Sequence, residues 1–255
     1  MNAPIVHPGP MTSNSTGFPA AVVTGAASGI GRALATRLAA AGTRLVVADV
    51  DAAALADLVT ELDATGVATD VADPHAMQEL AAAAPEARLV CLNAGIVGTA
   101  FGAPWEVDPD DWNSVFAVNV GGVVNGLRAF VPRLLASGRP GHVLITASLA
   151  GLATFAGGGA YGASKHAVVA VAEHAALALA GSQVGVTVLC PALVRTAISP
   201  VGVDPADVAD EALAAVEQGR FVVMPQEWRR SVLDRAEHLT SGRAPTPPTP
   251  SGDEV

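Results

Sequence analysis

The chain has 255 residues, of which 51% are hydrophobic and only 15% charged, so it can bury a large core and most of it should fold. Its formal net charge is -10 and it holds no cluster of lysine or arginine, which argues against a nucleic-acid partner. Cys91 and Cys190 lie inside apolar runs and read as buried free thiols, the histidines show no ligand spacing, and no metal site is predicted.

In chain order, residues 1–17 are rich in Pro, Ser, Thr, Asn and Gly and are expected to be disordered. They carry no basic segment followed by an apolar core, so they do not read as a secretory signal. No apolar run reaches the length of a membrane span without Gly, Pro or charge, and cytoplasm is the expected location. Residues 18–240 read as one domain, and 241–255 as a second disordered tail.

Short apolar runs predict strands at 20–24, 44–49, 67–70, 88–93, 142–147, 184–190 and 221–224. Alanine- and leucine-rich segments of helical length separate them. Asp73-Pro74, Asp108-Pro109 and Asp204-Pro205 each set an N-cap acceptor before a proline at the first helical position. This alternation predicts an α/β fold, a doubly wound Rossmann-type parallel sheet of about seven strands with helices on both faces. Ligands on such sheets bind at the carboxyl ends of the strands.

The first strand runs into Thr24-Gly25-Ala26-Ala27-Ser28-Gly29-Ile30-Gly31 and then a helical run. Glycines there let the backbone turn sharply and approach a pyrophosphate, with the helix N-terminus donating N–H groups. The spacing is GxxxGxG rather than GxGxxG. A tight turn without a ligand is the competing reading, and the flanking strand and helix count against it. Asp49 ends the second strand, where a carboxylate accepts hydrogen bonds from ribose hydroxyls and repels the extra phosphate of NADP. No basic residue stands at Ser28 or beside Asp49, so NAD is the predicted cofactor. Asp49 could instead cap the helix beginning near Asp51, a job that Asp51 can do itself.

Tyr161-Gly162-Ala163-Ser164-Lys165 opens an apolar helical segment, and this spacing sets Tyr161 and Lys165 on one face, a turn apart. A nearby ammonium lowers a phenol's pKa and makes the pair a general acid–base. YxxxK alone is common surface decoration, but Tyr161 is the only tyrosine in the chain. Ser148 ends an apolar strand and could hydrogen-bond a substrate carbonyl. Asn119 sits in a long apolar stretch, where a helix kink or a water could satisfy its amide. Asn93-Ala94-Gly95 follows another strand and would set small residues beside a cofactor.

Together TGAASGIG, Asp49, LNAG, Asn119, Ser148 and YGASK resemble the short-chain dehydrogenase/reductase family in its single-domain branch, from about Ala20 to Phe221. The resemblance implies an NAD-dependent oxidoreductase interconverting an alcohol and a ketone. It makes Tyr161 the acid–base, Lys165 the group that lowers its pKa and holds the nicotinamide ribose, and Ser148 the group that orients the substrate oxygen. Asn119 would hold a water in a proton relay to Lys165. Gly25, Ser28 and Ile30, with Gly29 and Gly31, would form the pyrophosphate turn. Asp49 and Val50 would flank the adenosine ribose, and Asp70 and Val71 the adenine. Asn93, Ala94 and Gly95 would run under the cofactor, and Pro191, Val194 and Thr196 would fix the carboxamide. A homodimer or homotetramer is implied, built on helices at 109–136 and 160–180.

Of three departures, one is at the C-terminus, where FVVMP leads into the helical run QEWRRSVLDRAEHL instead of a glycine-rich strand, which puts the usual tetramer contacts in doubt. Leu92 replaces an asparagine at a core-facing position, and Ala192 replaces the glycine after Pro191, adding a methyl near the nicotinamide. Substrate contacts are expected from 96–105, 149–158 and 193–203, with Leu149, Phe155, Ala192 and Leu193 as candidates and Arg195 as the only fixed charge. These mostly apolar segments predict a hydrophobic secondary alcohol or ketone, unless they only pack a lid. The alternatives are a catalytically silent NAD-binding sensor or scaffold, which need not keep Ser148, Tyr161 and Lys165 together, and a sugar epimerase or dehydratase, for which the C-terminal segment is too short.

Overall fold

The computed structural model describes residues 17–196 and 199–251. The expected disorder of 1–17 lies outside the described residues but for Gly17. Seven parallel strands form one sheet: β1 (Ala20–Thr24), β2 (Arg44–Asp49), β3 (Thr65–Ala68), β4 (Leu89–Leu92), β5 (Gly141–Thr146), β6 (Val184–Leu189) and β7 (Val222–Val223). Their order is β3-β2-β1-β4-β5-β6-β7. The direction of winding reverses between β1 and β4, which opens a crevice at the carboxyl ends of those two strands.

The helices are α1 (Gly29–Ala40), α2 (Ala52–Leu62), α3 (Pro74–Ala83), α4 (Pro109–Phe116), α5 (Gly122–Ala136), α6 (Gly159–Ala178), α7 (Pro205–Glu217) and α8 (Arg229–Ser241). Three begin as their sequences predict: Asp73, Asp108 and Asp204 each accept the backbone N–H two residues on, with proline in the first turn. One face of the sheet packs Met77 and Leu80 of α3, Phe130 and Leu134 of α5 and Val168 of α6. The other packs Leu34 and Leu38 of α1, Leu58 of α2 and Leu213 of α7. Glycines on α5 bring it close to the sheet: a methyl at Gly126 would stand 2.4 Å from Leu92. Leu92 therefore fills core space, as its position predicts.

β1 and β2 match their expected bounds, β4 to β7 shift by one residue at one or both ends, and β3 shifts by two. β3 starts at Thr65 rather than at residue 67, with Gly66 paired to Val47. Gly66 breaks a strand pattern in sequence, yet here it makes room for Val59, whose Cγ2 would lie 2.5 Å from a methyl at that position. β7 shrinks to two residues at the sheet edge, where only β6 supplies partners.

The largest difference is the tail. Instead of leaving the fold after Ser241, it returns along α8: the Thr249 amide donates to Ser231 Oγ over 3.0 Å and the Ser251 amide to Glu227 O over 2.7 Å. Residues 252–255 lie outside the described residues. Among the described residues, Pro109–Ala136 is the one helix long and apolar enough, by length and composition, to cross a membrane. Here it lies on the sheet, with Val123, Ala129, Phe130 and Leu134 buried in the core.

Candidate active site

The glycine turn joins β1 to α1. Gly25 and Gly29 have φ of +62° and +52°, in the left-handed region. All three glycines are sterically required. A methyl at Gly25 would stand 2.8 Å from Ala94 Cα, one at Gly29 2.9 Å from Thr196, and one at Gly31 2.0 Å from the Gly25 carbonyl oxygen. Ser28 caps α1 without a side-chain hydrogen bond, and the first turn holds no acidic residue. The amides at this helix start, Ile30 and Gly31 included, therefore retain capacity for an anion.

Asp49 braces the same turn. One carboxylate oxygen accepts from the Ala27 amide over 2.9 Å, and the other from the Asp51 amide over 3.1 Å. Asp51 itself caps α2 through the amides of Ala53 and Ala54. Asp49 is thus free of the capping role, and each oxygen keeps a lone pair for a hydroxyl. Val50 beside it is exposed. Asp70 is exposed and accepts from the Ala72 amide over 2.9 Å. Val71 is buried in the core against Gly122, so its side chain packs the sheet.

Asn93 ties the two sides of the crevice together. Its Nδ2 donates to the carbonyls of Thr24 and Gly25 over 3.2 and 3.3 Å. Its Oδ1 accepts from Thr146 Oγ1 over 3.0 Å. Thr24 Oγ1 accepts from the amides of Asn93 and Ala94. Thr146 O in turn accepts from Lys165 Nζ over 3.2 Å. One hydrogen-bonded chain thus runs from the Gly25 carbonyl to the Lys165 ammonium. Thr24 and Thr146 were missed as site residues, because a threonine at a strand end carries no signal until its partners are known.

Lys165 is buried, and its Nζ lies 5.6 Å from the Tyr161 ring centroid. Burial pushes its pKa down to about 8. Burial also holds the Tyr161 phenol above its ordinary value, while a hydrogen bond with Ser148 draws it back. The expected lowering of the phenol by Lys165 is not the net direction: desolvation outweighs the opposing causes. Ser148 is buried, and its Oγ accepts from the Ala150 amide over 3.1 Å, which fixes the hydroxyl. Cys190, next to Pro191, is buried, and burial pushes its pKa up to about 12.

Asn119 sits in a π-helical turn, Ala117–Gly121, between α4 and α5. Its Oδ1 accepts from the Ile96 amide over 2.8 Å, and its Nδ2 donates to Ile96 O over 2.8 Å and to Ser164 Oγ over 3.0 Å. Ser164 Oγ donates to Tyr161 O over 2.7 Å. Both amide protons are therefore committed, and the side chain ties the loop after β4 to the start of α6. A methyl at Gly95 would approach Asn119 Oδ1 at 3.1 Å and Lys165 Nζ at 3.2 Å, so the glycine keeps these two groups on either side of an open point.

On the substrate side, Leu149 is buried, Phe155 and Ala192 are half-buried and Leu193 is exposed. Among the described residues Asp63 is the only non-glycine with positive φ, so Ala192 imposes no left-handed strain. Val194 is buried and bridges to Val203. Pro191 O accepts from the Leu149 amide over 2.8 Å. Arg195 is paired with Asp204 over 2.7 Å. Asp111, another residue missed in sequence, pins the loop after β4 by accepting from the Thr99 amide over 2.9 Å. No group of three or more His, Cys, Asp or Glu among the described residues could hold a metal.

The short chain dehydrogenase family model matches residues 19–202. A 1-deoxy-11-beta-hydroxypentalenate dehydrogenase of Streptomyces avermitilis is 46% identical over 235 residues, 89% of this chain and 86% of that protein. A short chain dehydrogenase/reductase of Burkholderia phymatum, solved in complex with NAD, superposes with a TM-score of 0.86 at 36% identity, covering 94% of this chain and 99% of that one. LigD of Sphingobium sp. superposes at 0.80 with 32% identity, covering 89% of this chain and 98% of its own.

Proposed function

Because the chain belongs to the short chain dehydrogenase family, we propose that it interconverts a hydrophobic secondary alcohol and its ketone, with NAD as cofactor and Tyr161 as the proton-transfer group. The observation that carries this reading is the Ser148–Tyr161–Lys165 cluster, tied through Thr146 and Asn93 to the glycine turn.

The residues fit a dinucleotide. The three glycines clear a cradle that any Cβ would fill, and the start of α1 offers its amides to a pyrophosphate. Asp49 would accept from the adenosine ribose and disfavour a 2′-phosphate, which is why NAD rather than NADP is proposed. The NAD held by the Burkholderia structure supports the same choice. Gly25, Ser28, Gly29, Ile30 and Gly31 would line the pyrophosphate, Val50, Asp70 and Val71 the adenosine end, and Asn93, Ala94, Gly95, Pro191, Val194 and Thr196 the nicotinamide end. When bound, NAD supplies the hydride acceptor.

The chain's own groups handle the proton. In the oxidative direction Tyr161 takes the proton of the alcohol, so its deprotonated form is the working one. Ser148 donates its hydroxyl to whichever oxygen carries the developing charge. Lys165, pulled down to about 8, is still mostly an ammonium at neutral pH and favours the phenolate. Oxidation should therefore quicken as pH rises through neutrality, because the phenol sits above its ordinary pKa. Asn119 holds Ile96 and Ser164 in place and so positions both the loop and Tyr161.

An uncharged, hydrophobic substrate is supported by the exposed Phe101, Trp105 and Leu193 and by the pairing of Arg195 with Asp204. A second copy of the chain is proposed on the apolar groove of about 620 Å³ between α5 and α6, lined by Leu127, Val131, Leu135 and Val171, giving a homodimer or homotetramer. The cytoplasm is proposed because both cysteines are free and buried, as a reducing compartment permits. The deciding experiment is a panel of hydrophobic secondary alcohols with NAD, followed by NADH absorbance. NADH binding with no turnover across the panel would turn the reading toward a silent NAD-binding protein.

A further inference from the structure

Phe155 lies in the loop between Ser148 and Tyr161, and its local chain gives it little support. Three glycines follow it, Gly157, Gly158 and Gly159, and Gly157 and Gly159 have φ of +75° and +47°. A side chain at Gly157 would meet nothing within 4 Å, so no packing from its own position holds this turn. The loop is nevertheless fixed at two points. The Gly102 amide donates to Gly157 O over 3.0 Å, which joins it to the loop after β4. The ring of Phe155 meets Trp228 edge to face, with centroids 5.5 Å apart and planes at 64°.

Trp228 ends a short 3-10 turn, Gln226–Trp228, that leads into α8. The returning tail holds this turn in place. The Ser251 amide donates to Glu227 O, the residue before Trp228. Ser231, three residues after it, exchanges hydrogen bonds with both the amide and the carbonyl of Thr249. A cavity of about 300 Å³ lies under the tail, and Ala153 and Thr154 of the Phe155 loop line its wall opposite Pro247 and Pro248. The C-terminal segment therefore touches the substrate loop through the aromatic pair and shares a cavity with it.

We propose that Trp228 is a specificity-determining residue: seated by the C-terminal strap, it holds Phe155 as a fixed wall of the cleft and so sets which bulky alcohols reach Tyr161. This rests on the dehydrogenase reading above. A wall that is propped rather than built into its own loop discriminates by size, because a large rigid substrate needs it in place and a small one does not.

The test compares cyclohexanol with the fused-ring decahydro-1-naphthol in the full-length enzyme with NAD. Trp228→Ala should raise KM for the fused-ring alcohol about tenfold relative to cyclohexanol, with kcat changed less than about twofold. Trp228→Phe should restore most of the ratio, and ending the chain after Arg243 should reproduce part of the loss. An unchanged ratio in Trp228→Ala, or an equal fall in kcat for both alcohols, overturns the proposal, the second because it is the mark of a merely structural role. Calorimetric titration of 1-decalone into the NADH-loaded Tyr161→Phe protein separates the two readings. Weaker binding when Trp228→Ala is added supports the wall even if the wild type oxidises neither alcohol, whereas unchanged binding overturns it.

Discussion

On the cofactor side of the cleft, Gly25, Gly29 and Gly31 leave no room for a methyl group, and Asp49, Asn93, Thr24 and Thr146 clamp the backbone around them. On the side proposed for the substrate, Trp105 is 84% exposed and Phe101 67%, and the ring of Phe155 packs edge to face on Trp228. The first wall is clamped by hydrogen bonds between segments 22 to 69 positions apart, around glycines that leave no room for a methyl, and has one solution. The second leaves large rings exposed and rests on the contact of Phe155 with Trp228, outside the hydrogen-bonded clamp of the first. Tyr161 stands between them, on α6, whose start is tied to the loop after β4 through Ser164 and Asn119.

The largest expected effect is at that meeting point. Tyr161→Phe removes the only phenol in the chain and should lower kcat/KM by about 10³-fold. Because both walls are untouched, NADH affinity measured by fluorescence should change less than about twofold. A parallel loss of NADH binding would mean that the phenol also holds the cofactor wall, and the division drawn above would fail.

The next effect reaches beneath both walls. β5 carries Thr146 and leads to Ser148, and within it His142 is buried, with Nε2 2.8 Å from Thr187 Oγ1. The Thr187 hydroxyl donates to Arg220 O over 2.6 Å, so the ring must donate to Thr187. Burial pushes His142 down to about 4, from an ordinary value of 6.5. The unfolded chain then takes up a proton between those values that the folded one refuses. Stability is complete above pH 6.5 and falls as pH drops toward 4, by up to about 3 kcal/mol. Urea midpoints at pH 7 and 4.5 should show the fall, and His142→Gln should flatten it. NADH binding and turnover should disappear together on acidification, since both walls stand on the same sheet.

Gly31→Ala strikes the cofactor wall alone. Its methyl would lie 2.0 Å from the Gly25 carbonyl, so the turn must open. Overpacking of this kind costs about 1–3 kcal/mol, which predicts a rise in NADH Kd of about 10- to 100-fold. The binding of 1-decalone relative to cyclohexanone by whatever enzyme is saturated with NADH should stay as in the wild type. A shift in that preference would show the two walls to be coupled.

How much could be read in the sequence depends on how local the signal is. The seven strands, the aspartate–proline caps, the glycine turn and Leu92 in the core follow from local pattern, and the structure places them where the pattern does. Tyr161, Lys165 and Ser148 stood out as a set only through the order of motifs that resembles the family, since YxxxK alone carries little; the structure brings the three together. Thr146 and Asp111 did not stand out, since their partners Asn93 and Thr99 are met only after folding. The tail misled for a related reason. Pro- and Thr-rich sequence signals a solvated chain, yet its hydrogen bonds to Glu227 and Ser231 need no hydrophobic pattern. The direction of the Tyr161 shift was missed because depth of burial is not a property of spacing.

The smallest predicted effect separates bracing from recognition within the cofactor wall. Asp49 holds the Ala27 amide and also presents lone pairs outward. Asp49→Ala removes both, so NADH should weaken through the ribose contact and through a looser turn. NADPH should lose only the second and gain relief from charge repulsion. The ratio of the two dissociation constants should therefore narrow by about tenfold, or about 1.4 kcal/mol. Asp49→Asn keeps an acceptor for Ala27 while removing the charge. If bracing and charge are separable, it should hold NADH better than Asp49→Ala yet give a similar NADH-to-NADPH ratio. A wild type that binds NADPH more tightly than NADH would sink the NAD assignment itself and leave Asp49 with the bracing role alone.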